Sequence, residues 1–77
     1  MTNKTKFESR VTRVTLAPEG EPIYSERAWT IEIDDEAAGE YVVVGSESDE
    51  HDKIRIDARE WPALREEINA MIARCRK

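Results

Sequence analysis

The stretch Lys53-Ile-Arg-Ile-Asp-Ala-Arg-Glu-Trp-Pro-Ala-Leu-Arg-Glu-Glu-Ile-Asn-Ala-Met-Ile-Ala-Arg-Cys75 contains a change of period, and that change decides the fold. Ile54 and Ile56 alternate with Lys53 and Arg55, as a strand with a single face on a core requires. Trp61, Leu64, Ile68, Met71, Ile72 and Cys75 then recur at three- and four-residue steps, which places them on one side of a helix. Asp57 can accept from the free N–H groups of a first turn. Glu60 follows in capping-box register, and Ile56 and Trp61 hold the hydrophobic-staple positions. Pro62 allows a second reading. Inside a helix capped by Asp57 it would remove one hydrogen bond and crowd the carbonyl of Ala58. Alternatively, residues 57–61 form a separate turn and the helix begins at Pro62, a position that suits proline. Both starts remain open. Arg74, Arg76 and Lys77 complement the helix dipole in either case.

Working back from Lys53, residues 46–52 read as a solvated loop and residues 40–45 as a strand. Tyr41 and Val43 point one way and Val42 and Val44 the other, the pattern of a strand covered on both sides. Residues 34–39 form an acidic connection closed by Gly39. Residues 23–34 form a long strand with Trp29, Ile31 and Ile33 on one face and Ala28, Thr30 and Glu32 on the other. Pro18 and Gly20 mark residues 17–22 as turn-rich. Residues 7–16 are the first strand. Its apolar parity changes between Val11 and Val14, so either a bulge lies near Thr12 or both faces are partly covered. Short links favour an antiparallel arrangement. The expected fold is therefore α+β: a four-stranded antiparallel β-meander with one C-terminal α-helix packed on one face. Trp29 and Trp61 are expected as core anchors and Cys75 as a small buried hydrophobe. The other sheet face would be left to water unless a second subunit or a ligand covers it.

Seventy-seven residues make one domain, 1–77, with a polar lead at 1–6 that is expected to be disordered. A chain this short buries only about 60% of the surface it exposes when unfolded, so its core is thin and association is the natural support. Cys75 is the only cysteine, which excludes an internal disulfide and a cysteine-based zinc site. The amino terminus has no signal-peptide core, and no stretch approaches the roughly 20 apolar residues needed to cross a bilayer. The expected location is cytoplasmic, with Cys75 reduced.

Charge is unevenly spread. Residues 1–16 carry four basic and one acidic side chain, 17–52 one basic and twelve acidic, and 53–77 seven basic and four acidic, giving the net −5. Duplex-binding domains ordinarily carry a basic excess, because phosphate neutralisation supplies most of their affinity. Here the overall field repels nucleic acid.

No motif for a reaction emerges. His51 lies among Asp49, Glu50 and Asp52, yet adjacent residues on a loop seldom converge on one ion and no second histidine exists. Asp34, Asp35 and Glu36 lack the spacing of a calcium loop. Ser25, Ser46 and Ser48 have only His51 as a base, and no glycine-rich phosphate loop is present. The chain reads as a non-enzyme, with no cofactor and no metal.

The run from Ile54 to Ile68 resembles the last strand and helix of the positive-cofactor-four family of transcriptional coactivators. That family has a tryptophan in the helix's first turn, followed by leucine and isoleucine at the spacing of Leu64 and Ile68. The resemblance covers about a fifth of the chain. It implies four strands and a helix, a homodimer joined through the helix region, and single-stranded DNA bound on basic and aromatic residues of a curved sheet. Arg10, Arg13, Arg27 and Arg55, with Tyr24 or Trp29 stacking on bases, would carry that role. The acidic middle strands depart from the family where binding would occur. Val14-Thr-Leu-Ala-Pro18, Glu21-Pro-Ile23 and Ile33-Asp-Asp-Glu-Ala-Ala-Gly39 also look like small proteins of tailed phages and prophages, which often act as accessory factors.

These observations favour a homodimeric phage-type accessory protein that binds a protein partner, phage or host encoded. Its acidic surface at Asp34, Asp35, Glu36 and Glu40 would mimic nucleic-acid charge. The alternative is a homodimeric protein that binds single-stranded nucleic acid, and a weaker one is a structural dimer in a phage assembly.

Overall fold

Residues 4–47 and 49–76 are described by a computed structural model, the side chains of Asp49 and Glu50 excepted. The chain runs β1 (Arg13–Leu16), β2 (Trp29–Glu36), β3 (Gly39–Ser46), β4 (Asp49–Ile56) and α1 (Trp61–Arg74). The strands form one antiparallel sheet in the order β1-β2-β3-β4, so the α+β class and the meander are as the sequence predicts.

The borders move for identifiable reasons. β1 begins at Arg13, not at residue 7, and Val11 precedes it at 78% exposure. The Thr12 carbonyl still accepts from the Ile33 N–H at 2.8 Å, so the chain leaves the ladder just beyond this point. β2 begins at Trp29, not at residue 23. Residues 21–28 are tied into turns in which Ser25 N–H donates to Pro22 and Ala28 N–H to Ser25, each at 3.0 Å. The Ser25 hydroxyl also donates to Glu21 at 2.6 Å, so local bonds outcompete the ladder here. Residues 46–52, expected as a loop, mostly extend β3 and β4. The ladder shifts register between Gly45 and Ser46, leaving Ser46 opposite Asp49 and Gly45 opposite Lys53.

The β2–β3 hairpin turns at Ala37-Ala38 and closes on Gly39, whose φ of +120° is strained for any residue with a Cβ. At its other end the helix resolves the ambiguity over Pro62. Residues 57–60 form their own turn, with the Glu60 N–H on the Asp57 carbonyl at 2.9 Å and the Arg59 N–H on Asp57 Oδ1 at 2.9 Å. Asp57 therefore caps this turn, while α1 starts at Trp61 with proline in its first turn and no side-chain cap.

Register assigns the faces. Val14 pairs with Ile31 and Leu16 with Trp29; Ile31 pairs with Val44 and Ile33 with Val42; Val44 pairs with Ile54 and Val42 with Ile56. Directly paired residues share a face, so these nine side chains form one apolar surface. The opposite face carries Arg13, Thr30, Glu32, Val43, Gly45, Lys53 and Arg55.

The buried residues lie on that second, polar side. Ala28 is 1%, Thr30 4% and Val43 8% exposed, and the Thr30 hydroxyl donates to the Gly45 carbonyl. Gly45 has a reason to lack a side chain: a Cβ there would sit 2.9 Å from Cγ of Lys53, whose stem lies across the strand.

Burial of the helix stripe against the sheet is met only in part. Trp61 reaches the apolar face, but no residue of α1 is buried. Trp61 is 41% and Trp29 52% exposed, which corrects their reading as interior anchors, and Cys75 is exposed as well. The physical reason is the direction of the chain after Asp57. It carries α1 away from the sheet, and together with the extended residues before β1 this gives extents of 67 × 32 × 22 Å and a radius of gyration of 16.9 Å. A compact domain of this length would have a radius near 12 Å, by the roughly 0.38-power scaling of size with length.

Candidate protein-binding face

The most distinctive surface is the apolar side of the sheet. Its alternating residues come from all four strands because each strand keeps a period of two in register with its neighbour. Ile31, Val42, Val44, Ile56, Ala58 and Trp61 line an open hollow of about 370 Å³ at its centre. Around it Leu16, Trp29 and Ile54 are each more than half exposed. Leu64, Ile68, Met71 and Ile72 continue the apolar surface along α1 at 38% to 63% exposure. A soluble single chain rarely leaves so large an apolar area to water; such areas mark sites of association.

The acidic candidates occupy the end of the β2–β3 hairpin, and two of them are already paired. Glu40 receives both guanidinium nitrogens of Arg10, at 2.9 and 3.0 Å. Hydrogen bonding to Arg10 holds the Glu40 carboxyl below the usual glutamate value and raises Arg10 in return. Glu36 accepts from Arg55 at 3.0 Å and from the Tyr41 hydroxyl at 3.5 Å. Arg55 also stacks on the Tyr41 ring, 4.1 Å from its centre. Partial burial raises the Tyr41 phenol, while hydrogen bonding to Glu36 raises Arg55. Asp34, within β2, accepts from the N–H of Asp35 at 2.8 Å.

The basic candidates are paired too. Arg13 meets Glu47 at 3.5 Å, and Arg27 is joined to Glu21 in the connection that carries the exposed Tyr24. Arg13 and Arg55 stand at opposite ends of one row across the sheet, Arg13–Glu32–Val43–Arg55, about 14 Å apart at the usual strand spacing. The fold therefore distributes these arginines from edge to edge, each beside a carboxylate. Among the described residues no three of His, Cys, Asp and Glu are placed to hold a metal ion. His51 lies in β4, and Ser48 lies outside the described residues.

Reading the sequence by charge placed the site on the acidic residues; a sheet face open to a second subunit or a ligand was expected, but no residues were assigned to it. The available signal was the alternation of Trp29, Ile31 and Ile33 with Val42 and Val44 and with Ile54 and Ile56, taken as one surface. No protein-family model matches the chain, and comparison with curated proteins and with solved structures finds no significant match. Among the described residues no helix is long and apolar enough to cross a membrane.

Proposed function

We propose that this chain is a non-enzymatic accessory protein that acts by binding protein, with the apolar side of its sheet as the binding surface. The supporting observation is the continuity of that surface: nine apolar side chains from four strands surround the hollow at Trp61, and its centre carries no charged residue. Interface cores are more apolar than the rest of a surface and depleted of charge, which is the composition at the centre of this face. The carboxylate of Asp35, opposite Glu40 at the hairpin end of this same side, adds a rim of negative field that favours a basic edge on the bound protein. Single-stranded nucleic acid would have to compete for Arg10, Arg13, Arg27 and Arg55 with the carboxylates they already hold.

A photo-crosslinking amino acid installed in place of Ile54 in living cells tests this. A covalent adduct with protein is expected from that position and not from the same group in place of Arg13 on the polar side. No adduct from position 54, or equal adducts from both positions, would overturn the proposal.

A further inference from the structure

We infer that the occupant of the apolar face is a second copy of this chain, and that the two copies exchange helices: α1 of each lies across the sheet of the other. The inference rests on the protein-binding reading and names its partner. Its first support is area. The chain exposes 7440 Å², whereas a compact monomer of 8.9 kDa exposes about 4,800 Å² by the usual scaling of surface with mass. The excess, about 2,600 Å², resembles the roughly 1,000–2,500 Å² that each partner contributes to an obligate dimer, the extended segment before β1 adding the remainder.

The second support is complementarity. A sheet face and the apolar stripe of a helix are the two layers an α+β domain joins, and in this chain they meet only where Ala58 and Trp61 reach the hollow, with no residue of α1 buried. A two-fold axis satisfies both vacancies at once, because a contact from the helix of one copy to the sheet of the other is repeated in reverse. The dimensions agree: fourteen helical residues span about 21 Å and eight strand residues about 26 Å. Residues 57–77 carry five basic and four acidic side chains, so the acidic sheet does not repel the incoming helix. An unrelated partner would need to supply both a ridge and a groove of these same dimensions.

Light scattering on the purified full chain at micromolar to millimolar concentration should give twice the monomer mass of 8.9 kDa. Ile54→Glu on the sheet and Ile68→Glu on the helix should each return the mass to that of one chain, with the helical circular-dichroism signal retained. In a mixture of isotopically light and heavy chains, a crosslinker in place of Ile54 should join the sheet of one copy to residues 64–72 of the other. A wild-type chain that stays monomeric throughout the range overturns the inference without any variant being needed. A dimer whose crosslinks run only between sheets, or an adduct in cells that contains a different protein, also overturns it. Those last two outcomes leave the protein-binding reading standing; an absent adduct removes both.

Discussion

The two faces of this sheet are built from the same four strands, yet one is closed within the chain and the other is open. On the polar face, long side chains lie over the strands: the stem of Lys53 covers Gly45 and its ammonium reaches Glu32, while Arg55 covers Tyr41 and reaches Glu36. A charged head stays in water as its methylenes cover what lies beneath, which is how Thr30 and Val43 become buried on the side that looks hydrophilic. The apolar face has no such cover. Val, Ile and Leu are too short to wrap a neighbouring strand, so their shared surface closes only when another layer arrives. Where the buried residues sit in a small sheet thus depends on side-chain length as well as on polarity.

Val43 and Val44 are neighbours pointing to opposite faces, and the same truncation at each is the sharpest test of this contrast. Val43→Ala should cost about 1–2.5 kcal/mol in urea unfolding, since it opens a cavity in a site already closed. That cost should not vary with protein concentration. Val44→Ala should cost little in dilute monomer and approach the same value at concentrations where the apolar face is covered. Equal, concentration-independent costs at the two positions would break the distinction between a closed and an open face.

Lys53 gives a smaller and more specific effect. Lys53→Ala should lower stability by about 0.5–1 kcal/mol, and Lys53→Met should restore most of it, because the stem rather than the charge does the covering. Failure of methionine to restore stability would assign the effect to the ion pair with Glu32 instead.

The smallest effect concerns Arg10 and Glu40. The Glu40 carboxyl lies below its ordinary value of 4.5 in the folded chain because Arg10 binds its charged form. A depressed carboxyl contributes stability that is complete above the unfolded value and is lost as pH falls through the folded one. Arg10→Gln should therefore move the Glu40 titration, followed by NMR, upward toward 4.5, while the thermal midpoint at neutral pH changes little for so exposed a pair. An unmoved titration would show that the pair does not persist in solution.

Much of the architecture was legible because periodicity is a local property. The period of two through Trp29, Ile31 and Ile33 and through Ile54 and Ile56, and the step of three and four after Trp61, each require one kind of element. Borders were less legible where local hydrogen bonds compete with the ladder, as at Ser25 and Glu21. The turn at Asp57 left two helix starts open: its carboxylate does cap, but it serves a turn of its own, and the helix begins at Trp61 with Pro62 in its first turn. For the candidate site, the acidic cluster stood out by composition while the apolar face did not. Pairing partners such as Arg10 for Glu40 lie thirty residues away and cannot be read along the chain.

By itself the sequence determined the meander and its terminal helix, since alternation, helical spacing and turn residues act over a few neighbours. Only the tertiary structure decided that the carboxylates are matched by arginines across strands, that Thr30 and Val43 are the buried residues, and that the apolar face and helix stripe lie uncovered in one chain. Those outcomes depend on register and on the direction of the chain beyond Asp57. Register is set by contacts between residues distant in sequence, and the direction by the turn at Asp57, whose exit relative to the sheet shows only in three dimensions.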